Sequence, residues 1–300
     1  LNPGATQQVS ITADASGAAL NTWLWGSVLF TPSDSSVAPA RFPVILVRVA
    51  SVLPSVLRYD DVKRRGSAIE KNLEVSSAIS DLTVTPYGLV AADVAKNDLY
   101  QDPTPSTYWD PSPDPPGSEG LWAHDGLWVK KVTVPADSKR LVAEILATDA
   151  TDMDLYIDRW TGSGWVNVCA SATSSSIETC SVSNPVAGDY YVYVQNWLSS
   201  DPSGTTPDTV ELATAVVPGT SAGNLTVALA GGGTSVPAGQ PFDLNISWSL
   251  GSAQRHWYGR FGLGTDAGNP ENLGLINLDL HVKPGGLFFP IKGKDGKTTV

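Results

Sequence analysis

Short runs of β-branched and aromatic residues recur along the whole chain, and turn-forming residues separate them about every 8 to 15 positions. The 28 Gly and 22 Pro residues suit tight turns and disfavour long helices. This spacing predicts an all-β protein built of antiparallel β-sandwich or jelly-roll modules in tandem. The runs lie at Val9–Ala13, Trp23–Phe30, Phe42–Val49, Leu141–Leu146, Met153–Ile157, Tyr190–Val194, Leu225–Leu229, Phe242–Trp248 and Leu275–Leu280.

Helical periodicity is scarce, and Leu89–Leu99 is the best candidate for a single short helix. No apolar run approaches the roughly 20 residues that span a bilayer. The net charge of −11 repels phosphate backbones and anionic lipid, so we expect neither a nucleic-acid nor a membrane partner. Residues 1–4 lack the basic start and apolar core of a signal peptide, which favours a chain that begins inside a longer polypeptide.

Breaks in the pattern divide the chain into four predicted segments. Residues 1–53 form a first, incomplete segment, and residues 54–217 form the largest module. Six prolines fall within 101–120, which predicts a long loop or linker inside that module. A Gly-, Ser- and Thr-rich stretch after residue 217 separates a small sandwich at 218–283, and the Gly- and Lys-rich tail is 284–300.

Catalytic candidates are few, because the chain has only His124, His256 and His281 as general bases. His281 ends an alternating strand and is predicted to face solvent. Ser221 lies in a Gly-Thr-Ser-Ala context like the nucleophile segment of subtilisin-like proteases, but a glycine and a strand follow it where that family has a helix. No two histidines have zinc-ligand spacing. The sequence therefore predicts that this chain is not an enzyme by itself.

Asp149, Asp152 and Asp154 form an acidic cluster at the start of a predicted strand. Asp152 and Asp154 are two residues apart and so share one face. Closely spaced carboxylates favour a hard cation, and the cluster predicts a calcium site. A solvated turn is the alternative. Glu119 with Asp125 is a second, weaker acidic candidate.

Cys169 and Cys180 are the only cysteines. Their spacing does not match a zinc or thioredoxin-type motif, so a disulfide that closes a loop is predicted, worth about 3 kcal/mol in the chain-entropy model. A disulfide requires an oxidising compartment. Two free buried thiols are the alternative.

Aromatic residues near strand ends are candidate binding residues. Trp160, Trp165 and Trp197 lie in or beside predicted loops, while Tyr191 and Tyr193 share one face of a strand. Such a row could stack on sugars or contact a protein surface. The alternative is that most of these rings belong to the core.

Residues 140–197 resemble the bacterial pre-peptidase C-terminal domain. The resemblance rests on RLVAEI, then DMDLYIDRW, the cysteine pair, and SNPVAGDYYVYVQNW. It implies a jelly-roll β-sandwich appended to secreted proteases, some of whose relatives bind calcium or an insoluble substrate such as collagen. Asp152 and Asp154 fall on the Asp-x-Asp of that family.

Two flanking segments resemble other parts of large secreted subtilases. Residues 1–53, with LNPGATQQVSIT and RFPVILV, resemble the end of a fibronectin type III-like domain, but with about four strands instead of the usual seven. Residues 224–283, with PAGQPFDLNISWSL and LGLINLDL, resemble a small terminal sandwich.

Together these resemblances imply the secreted, non-catalytic C-terminal region of a subtilisin-like serine protease. Such a region would stabilise the catalytic domain in cis or bind protein substrate. The alternatives are a free-standing adhesin or carbohydrate-binding module, and a purely structural spacer.

Overall fold

A computed structural model of the chain describes residues 4–284, apart from residues 16, 20, 21, 50, 104–125, 202, 252 and 253. The described residues form strands and turns without a helix, so the predicted all-β class is confirmed. None of them therefore makes a helical segment long and apolar enough to cross a membrane. The predicted helix at Leu89–Leu99 is wrong, since these residues end one strand and form the next. The run at Val9–Ala13 forms no strand.

Eighteen strands are present in the described chain. They are β1 (Trp23–Phe30), β2 (Ala40–Val47), β3 (Ser51–Val52), β4 (Val56–Val62), β5 (Arg65–Val75), β6 (Thr83–Ala91), β7 (Asp93–Leu99), β8 (Leu127–Val134), β9 (Arg140–Thr148), β10 (Asp152–Trp160), β11 (Trp165–Ser171), β12 (Thr179–Ser183), β13 (Gly188–Leu198), β14 (Asp208–Val217), β15 (Leu225–Leu229), β16 (Phe242–Ser249), β17 (His256–Gly264) and β18 (Gly274–Val282).

The strands form one hairpin and four four-stranded sheets. The hairpin is β1-β2. Sheet A has the order β11-β10-β13-β8, sheet B β12-β9-β14-β7, sheet C β4-β18-β17-β6 and sheet D β15-β16-β5-β3. All neighbouring strands run antiparallel except β4 and β18, which are parallel. Sheets A and B form the middle sandwich, and sheets C and D form the outer sandwich.

Sheets B and C also pack on each other, so both of their faces are buried. On β9, Leu141 and Ile145 enter the core between sheets A and B, while Val142 packs towards sheet C. On β17, Phe261 enters the core between sheets C and D, while Tyr258 packs towards sheet B. Successive side chains of a strand point to opposite faces, and both faces of β9 and β17 are buried. The sequences of these two strands are therefore nearly continuous apolar runs. The four sheets therefore form one stack, A-B-C-D.

The outer sandwich is built from two separate stretches of the chain. Strands β3–β6 precede the middle sandwich in sequence, and β15–β18 follow it. Strand β16 pairs with β5, and β17 pairs with β6. The observed sheets thus depart from the predicted division at residues 54 and 218, because residues 54–91 share their sheets with residues 225–282. Most of the predicted loop at 101–120 and nearly all of the tail at 284–300 lie outside the described residues.

Candidate functional site

The predicted acidic cluster is only partly assembled. Asp152 opens β10 half-buried and Asp154 is buried, whereas Asp149 is exposed. Burial raises the pKa of Asp154, and the charges of Asp152 and Glu178 add to this, although the Tyr156 hydroxyl donates a hydrogen bond to it at 2.9 Å. One oxygen of Asp152, Oδ1, is buried without a hydrogen-bond partner.

Glu178 is the carboxylate that the sequence pattern missed. It lies just before β12, 3% exposed, and its side chain accepts hydrogen bonds from Ser171 Oγ and from the Thr173 amide at 3.0 Å. Burial, and then the charge of Glu178, raises the pKa of Asp152. Within the described residues, no group of three or more Asp, Glu, His or Cys side chains is arranged to hold a metal ion. The calcium site therefore stays a prediction.

The predicted disulfide is confirmed. Cys169 on β11 and Cys180 on β12 are bonded, with their Cα atoms 5.8 Å apart. Strand β11 is an edge of sheet A, and β12 is an edge of sheet B. The bond thus ties the two sheets of the middle sandwich together at one side.

The predicted aromatic row is not a surface feature. Tyr191 and Tyr193 are 0% and 2% exposed, so both are buried on the face of sheet A opposite its core. Trp165 lies half-buried between the rings of Trp160 and Tyr191, with centroids 5.1 Å and 4.9 Å away in edge-to-face geometry. Only Trp197 is exposed among the five predicted binding residues. The two tyrosines are therefore wrong as exposed binding residues.

The junction between the two sandwiches contains a buried ion pair. Arg140 of β9 donates to Asp279 of β18 through Nη1 at 2.5 Å and Nη2 at 3.4 Å. Its Nε donates to Ser181 Oγ at 2.9 Å. Both charged residues are at least 95% buried. A buried charge is tolerated when it is paired and hydrogen-bonded, as it is here.

Glu144 of β9 is the second charged centre of this junction. Its carboxylate accepts hydrogen bonds from Arg58 Nη1 and from the Tyr258 hydroxyl, each at 2.6 Å, and lies 3.6 Å from His281 Nε2. Burial opposes ionisation of Glu144, but His281, Tyr258 and Arg58 outweigh it and lower its pKa to about 2. Burial and the Glu144 charge raise the pKa of Tyr258.

The two described histidines belong to the same junction. The rings of His256 and His281 lie 4.5 Å apart in edge-to-face geometry. His281 Nδ1 is 3.1 Å from Arg58 Nη2 and 3.1 Å from Asp60 Oδ1. His281 is only 9% exposed, so its predicted solvent-facing position is wrong. Burial, and then the neighbouring His281, lowers the pKa of His256.

Neither described histidine has a nucleophile beside it. No serine hydroxyl in the described part of the chain hydrogen-bonds to His256 or His281. Ser221 lies in an exposed turn, where its Oγ accepts a hydrogen bond from the Gly223 amide at 3.2 Å. His124, Glu119 and Asp125 lie outside the described residues.

The hairpin β1-β2 exposes large apolar side chains on both faces. Trp25 is 75% exposed, and Trp23, Leu29, Phe42 and Ile45 are each about half exposed or more. No third strand pairs with the hairpin among the described residues. An isolated two-stranded sheet is only marginally stable, and a large exposed apolar patch marks a contact site.

The segment from β8 to β13 carries the disulfide, the Asp152–Asp154 pair and Glu178 in one contiguous stretch. Residues 129–196 match the bacterial pre-peptidase C-terminal domain. The resemblance of residues 140–197 to this family is thus confirmed. The pre-peptidase C-terminal match comprises nearly all of sheet A together with β9 and β12 of sheet B, and it spans less than a quarter of the chain. No curated protein matches the chain.

Proposed function

We propose that this chain is a non-catalytic accessory region of a secreted, subtilisin-like serine protease, which stabilises the catalytic domain in cis or holds it on protein substrate. The match of residues 129–196 to a domain named for its place in bacterial peptidases carries this proposal. The disulfide supports export, because such bonds persist in oxidising compartments.

The hairpin β1-β2 supports a docking role. Residues 22–47 include only two charged side chains, Asp34 and Arg41, in a chain whose net charge is −11. A hairpin with so few charges, and with Trp25 and Phe42 exposed on its opposite faces, suits burial against another protein domain. We propose that the contact with the catalytic domain lies at this hairpin.

The test compares residues 1–300 with the complete product of the same gene. The complete product is expected to cleave casein and to be blocked by a serine-directed inhibitor, while residues 1–300 alone do not cleave it. Inhibitor-sensitive cleavage by residues 1–300 would refute the non-catalytic assignment. An upstream reading frame without Asp, His and Ser motifs in subtilisin order would refute the protease assignment.

A double substitution in the hairpin tests the proposed docking on the catalytic domain. Trp25→Ser with Phe42→Ser in the complete product is expected to shorten the thermal half-life of the protease. Ile177→Ser with Val186→Ser removes two exposed apolar side chains elsewhere and serves as the matched control. Equal half-lives for both double variants would contradict docking through the hairpin.

We also propose that Asp152 and Asp154 bind calcium. Two observations support this proposal: Asp152 Oδ1 is buried without a hydrogen-bond partner, and the pKa of each carboxyl is raised. A bound cation would coordinate this oxygen and would stabilise the ionised form of both carboxyls. Calcium at 100 times its dissociation constant would stabilise the fold by about 2.7 kcal/mol.

Thermal melting with calcium or magnesium tests the calcium proposal. The melting temperature is expected to rise in calcium, and Asp154→Asn is expected to abolish the rise. Comparing Asp149→Asn with Glu178→Gln identifies the third carboxylate. An equal rise in Asp154→Asn, or no rise at all, would overturn this site.

A further inference from the structure

A groove of about 420 Å³ opens on the outer sandwich where β4 turns into β5. Its lining includes three basic side chains and one acidic side chain, although the whole chain has 30 acidic and 19 basic residues. The groove therefore carries a local positive charge on an acidic protein. Its charged lining residues are Arg58, Asp60, Lys63 and Arg65.

The turn that carries Lys63 is held rigidly by its backbone. Three successive carbonyls, those of residues 62–64, each accept a hydrogen bond. The donors are Lys283 N at 3.0 Å, Trp248 Nε1 at 2.9 Å and Leu250 N at 2.7 Å. Arg64 adds two further bonds, from Nη1 to Gly251 O at 2.6 Å and to Gln254 O at 2.9 Å.

The side chains on either side of Arg64 have no such partners. Within the described residues, neither Lys63 nor Arg65 makes a side-chain ion pair or hydrogen bond, and both are exposed. Arg58 differs, because it binds Glu144 at 2.6 Å and Asp60 at 3.2 Å. The turn thus presents two cations that have no side-chain partner among the described residues.

Asp61 precedes this turn in a left-handed backbone conformation, with φ of 54°. Residues other than glycine rarely adopt this region, and such positions concentrate at functional sites. The local backbone is therefore held in an unusual shape at the point where the cations are presented.

The groove also lies between two open strand edges. Among the described residues, strand β4 pairs only with β18. Strand β5 pairs with β16 along most of its length and with the short β3 only at Glu74 and Val75. Open edges offer backbone donors and acceptors to an added strand. Trp248 at the groove floor is only 6% exposed, so it offers no ring face on which a sugar could stack.

We propose that this groove binds an acidic polypeptide segment in extended conformation, by strand addition at the open edge of β5 with its carboxylates on Lys63 and Arg65. The contact is independent of the protease assignment, since it uses only residues of the outer sandwich. If the groove does not bind the peptide, the proposed accessory function is unaffected. If the accessory function is refuted, the proposed peptide binding is equally unaffected.

The test uses fluorescence anisotropy of a fluorescein-labelled peptide of alternating Glu and Thr, at low ionic strength, with the complete 300-residue chain. Binding is expected, and Lys63→Gln with Arg65→Gln is expected to weaken it about tenfold, because two charge contacts are lost. Lys96→Gln with Arg159→Gln removes the same charge from the middle sandwich and is expected to leave binding unchanged. Unchanged melting temperatures confirm that each variant folds.

Two further probes separate strand addition from simple charge attraction. A peptide of alternating Glu and Pro, of the same length and charge, lacks half of the amide donors and is expected to bind much more weakly. A carboxylated polysaccharide is expected to compete poorly. Equal binding of either probe, binding unaffected by the Lys63 and Arg65 substitutions, or no binding of the Glu-Thr peptide would overturn the proposal.

Discussion

Globular proteins usually bury apolar side chains and expose charged ones. Two regions depart from this rule: the junction between the sandwiches buries charges, and the hairpin β1-β2 exposes apolar side chains. The junction buries the charges of Arg140, Asp279 and Glu144, each at least 95% covered. The hairpin leaves Trp25 and Phe42 exposed on strands with almost no charge. Buried charges require specific partners, and exposed aromatic side chains are expensive in water.

The two regions differ in whether their unusual side chains have contacts within this chain. The charges of Arg140, Asp279 and Glu144 are all paired within this chain, so the middle and outer sandwiches are expected to behave as one unit. The hairpin has no cover among the described residues, which agrees with the contact proposed above between the hairpin and another protein domain. Substitutions in the two regions should therefore have unlike consequences, large for folding in the junction and small for folding in the hairpin.

The largest effect is expected from breaking the buried ion pair. Arg140→Ala leaves Asp279 charged and unpaired between sheets B and C, which is expected to lower the free energy of unfolding by about 3–5 kcal/mol. Urea denaturation followed by tryptophan fluorescence measures this loss.

Two control variants separate the effect of an unpaired buried charge from the effect of any substitution at an ion pair. Arg140→Met with Asp279→Leu removes both charges and is expected to be far less costly than Arg140→Ala. Lys96→Ala breaks the exposed pair with Glu211 at 2.9 Å and is expected to cost less than about 1 kcal/mol. A small effect of Arg140→Ala would show that the junction does not hold the sandwiches together.

Acid is expected to loosen the same junction. The pKa of Glu144 is lowered from 4.5 to about 2, so its contribution to stability is complete above pH 4.5 and is lost as the pH falls from 4.5 towards 2. That contribution is at most about 3 kcal/mol. The pKa of His256 is lowered as well, so a further part is lost as the pH falls below its ordinary value of 6.5.

Urea unfolding at a series of pH values, with Glu144→Gln beside the unsubstituted chain, isolates the Glu144 contribution from the other carboxylates. The slope of stability between pH 4.5 and pH 2 should be smaller in Glu144→Gln. Identical slopes would contradict the assigned role of Glu144.

Removing the disulfide is expected to have the next largest effect. Cys169→Ser with Cys180→Ser is expected to lower the free energy of unfolding by about 2–3 kcal/mol. If the two sandwiches unfold together, the loss appears in a single transition. A separate early transition of the middle sandwich would break the claim that the stack is one unit. Reduction of the unsubstituted chain should reproduce the stability of the double variant.

The smallest effect on folding is expected in the hairpin. Trp25→Ser with Phe42→Ser is expected to change the free energy of unfolding of the 300-residue chain by less than about 0.5 kcal/mol, because both side chains are exposed. Binding of a hydrophobic dye to the chain should fall at the same time. A large loss of stability would show that the hairpin is packed on the rest of the chain.

Local patterns predicted much of the secondary structure and the disulfide. Leu225–Leu229 and Phe242–Trp248 alternate apolar and polar residues and form β15 and β16 almost at the predicted bounds. Leu89–Leu99 failed because its apolar residues serve two strands of different sheets, β6 and β7, and the combined spacing imitates a helix. The connection of β5 to β16 spans more than 150 residues, and no local pattern contains it.

The sequence pattern did not predict the buried charges of the junction, because it does not show that both faces of β9 are buried. Arg140 and Glu144 stand in the otherwise apolar run RLVAEI, and charged residues on a strand usually mark its solvent face. Here both strand faces are buried, so the charges mark a second interface. Glu178 lies in a loop distant in sequence from Asp152, and only the fold brings their charges close enough to interact.

Hydrogen exchange measured by mass spectrometry tests the contrast between junction and hairpin most directly. The comparison is between residues 1–300 and the same residues joined to the catalytic domain that we propose as their partner. We expect β9, β17 and β18 to be strongly protected in both proteins, and residues 22–47 to exchange rapidly in the first and slowly in the second. Equal exchange of residues 22–47 in the two proteins would contradict the account.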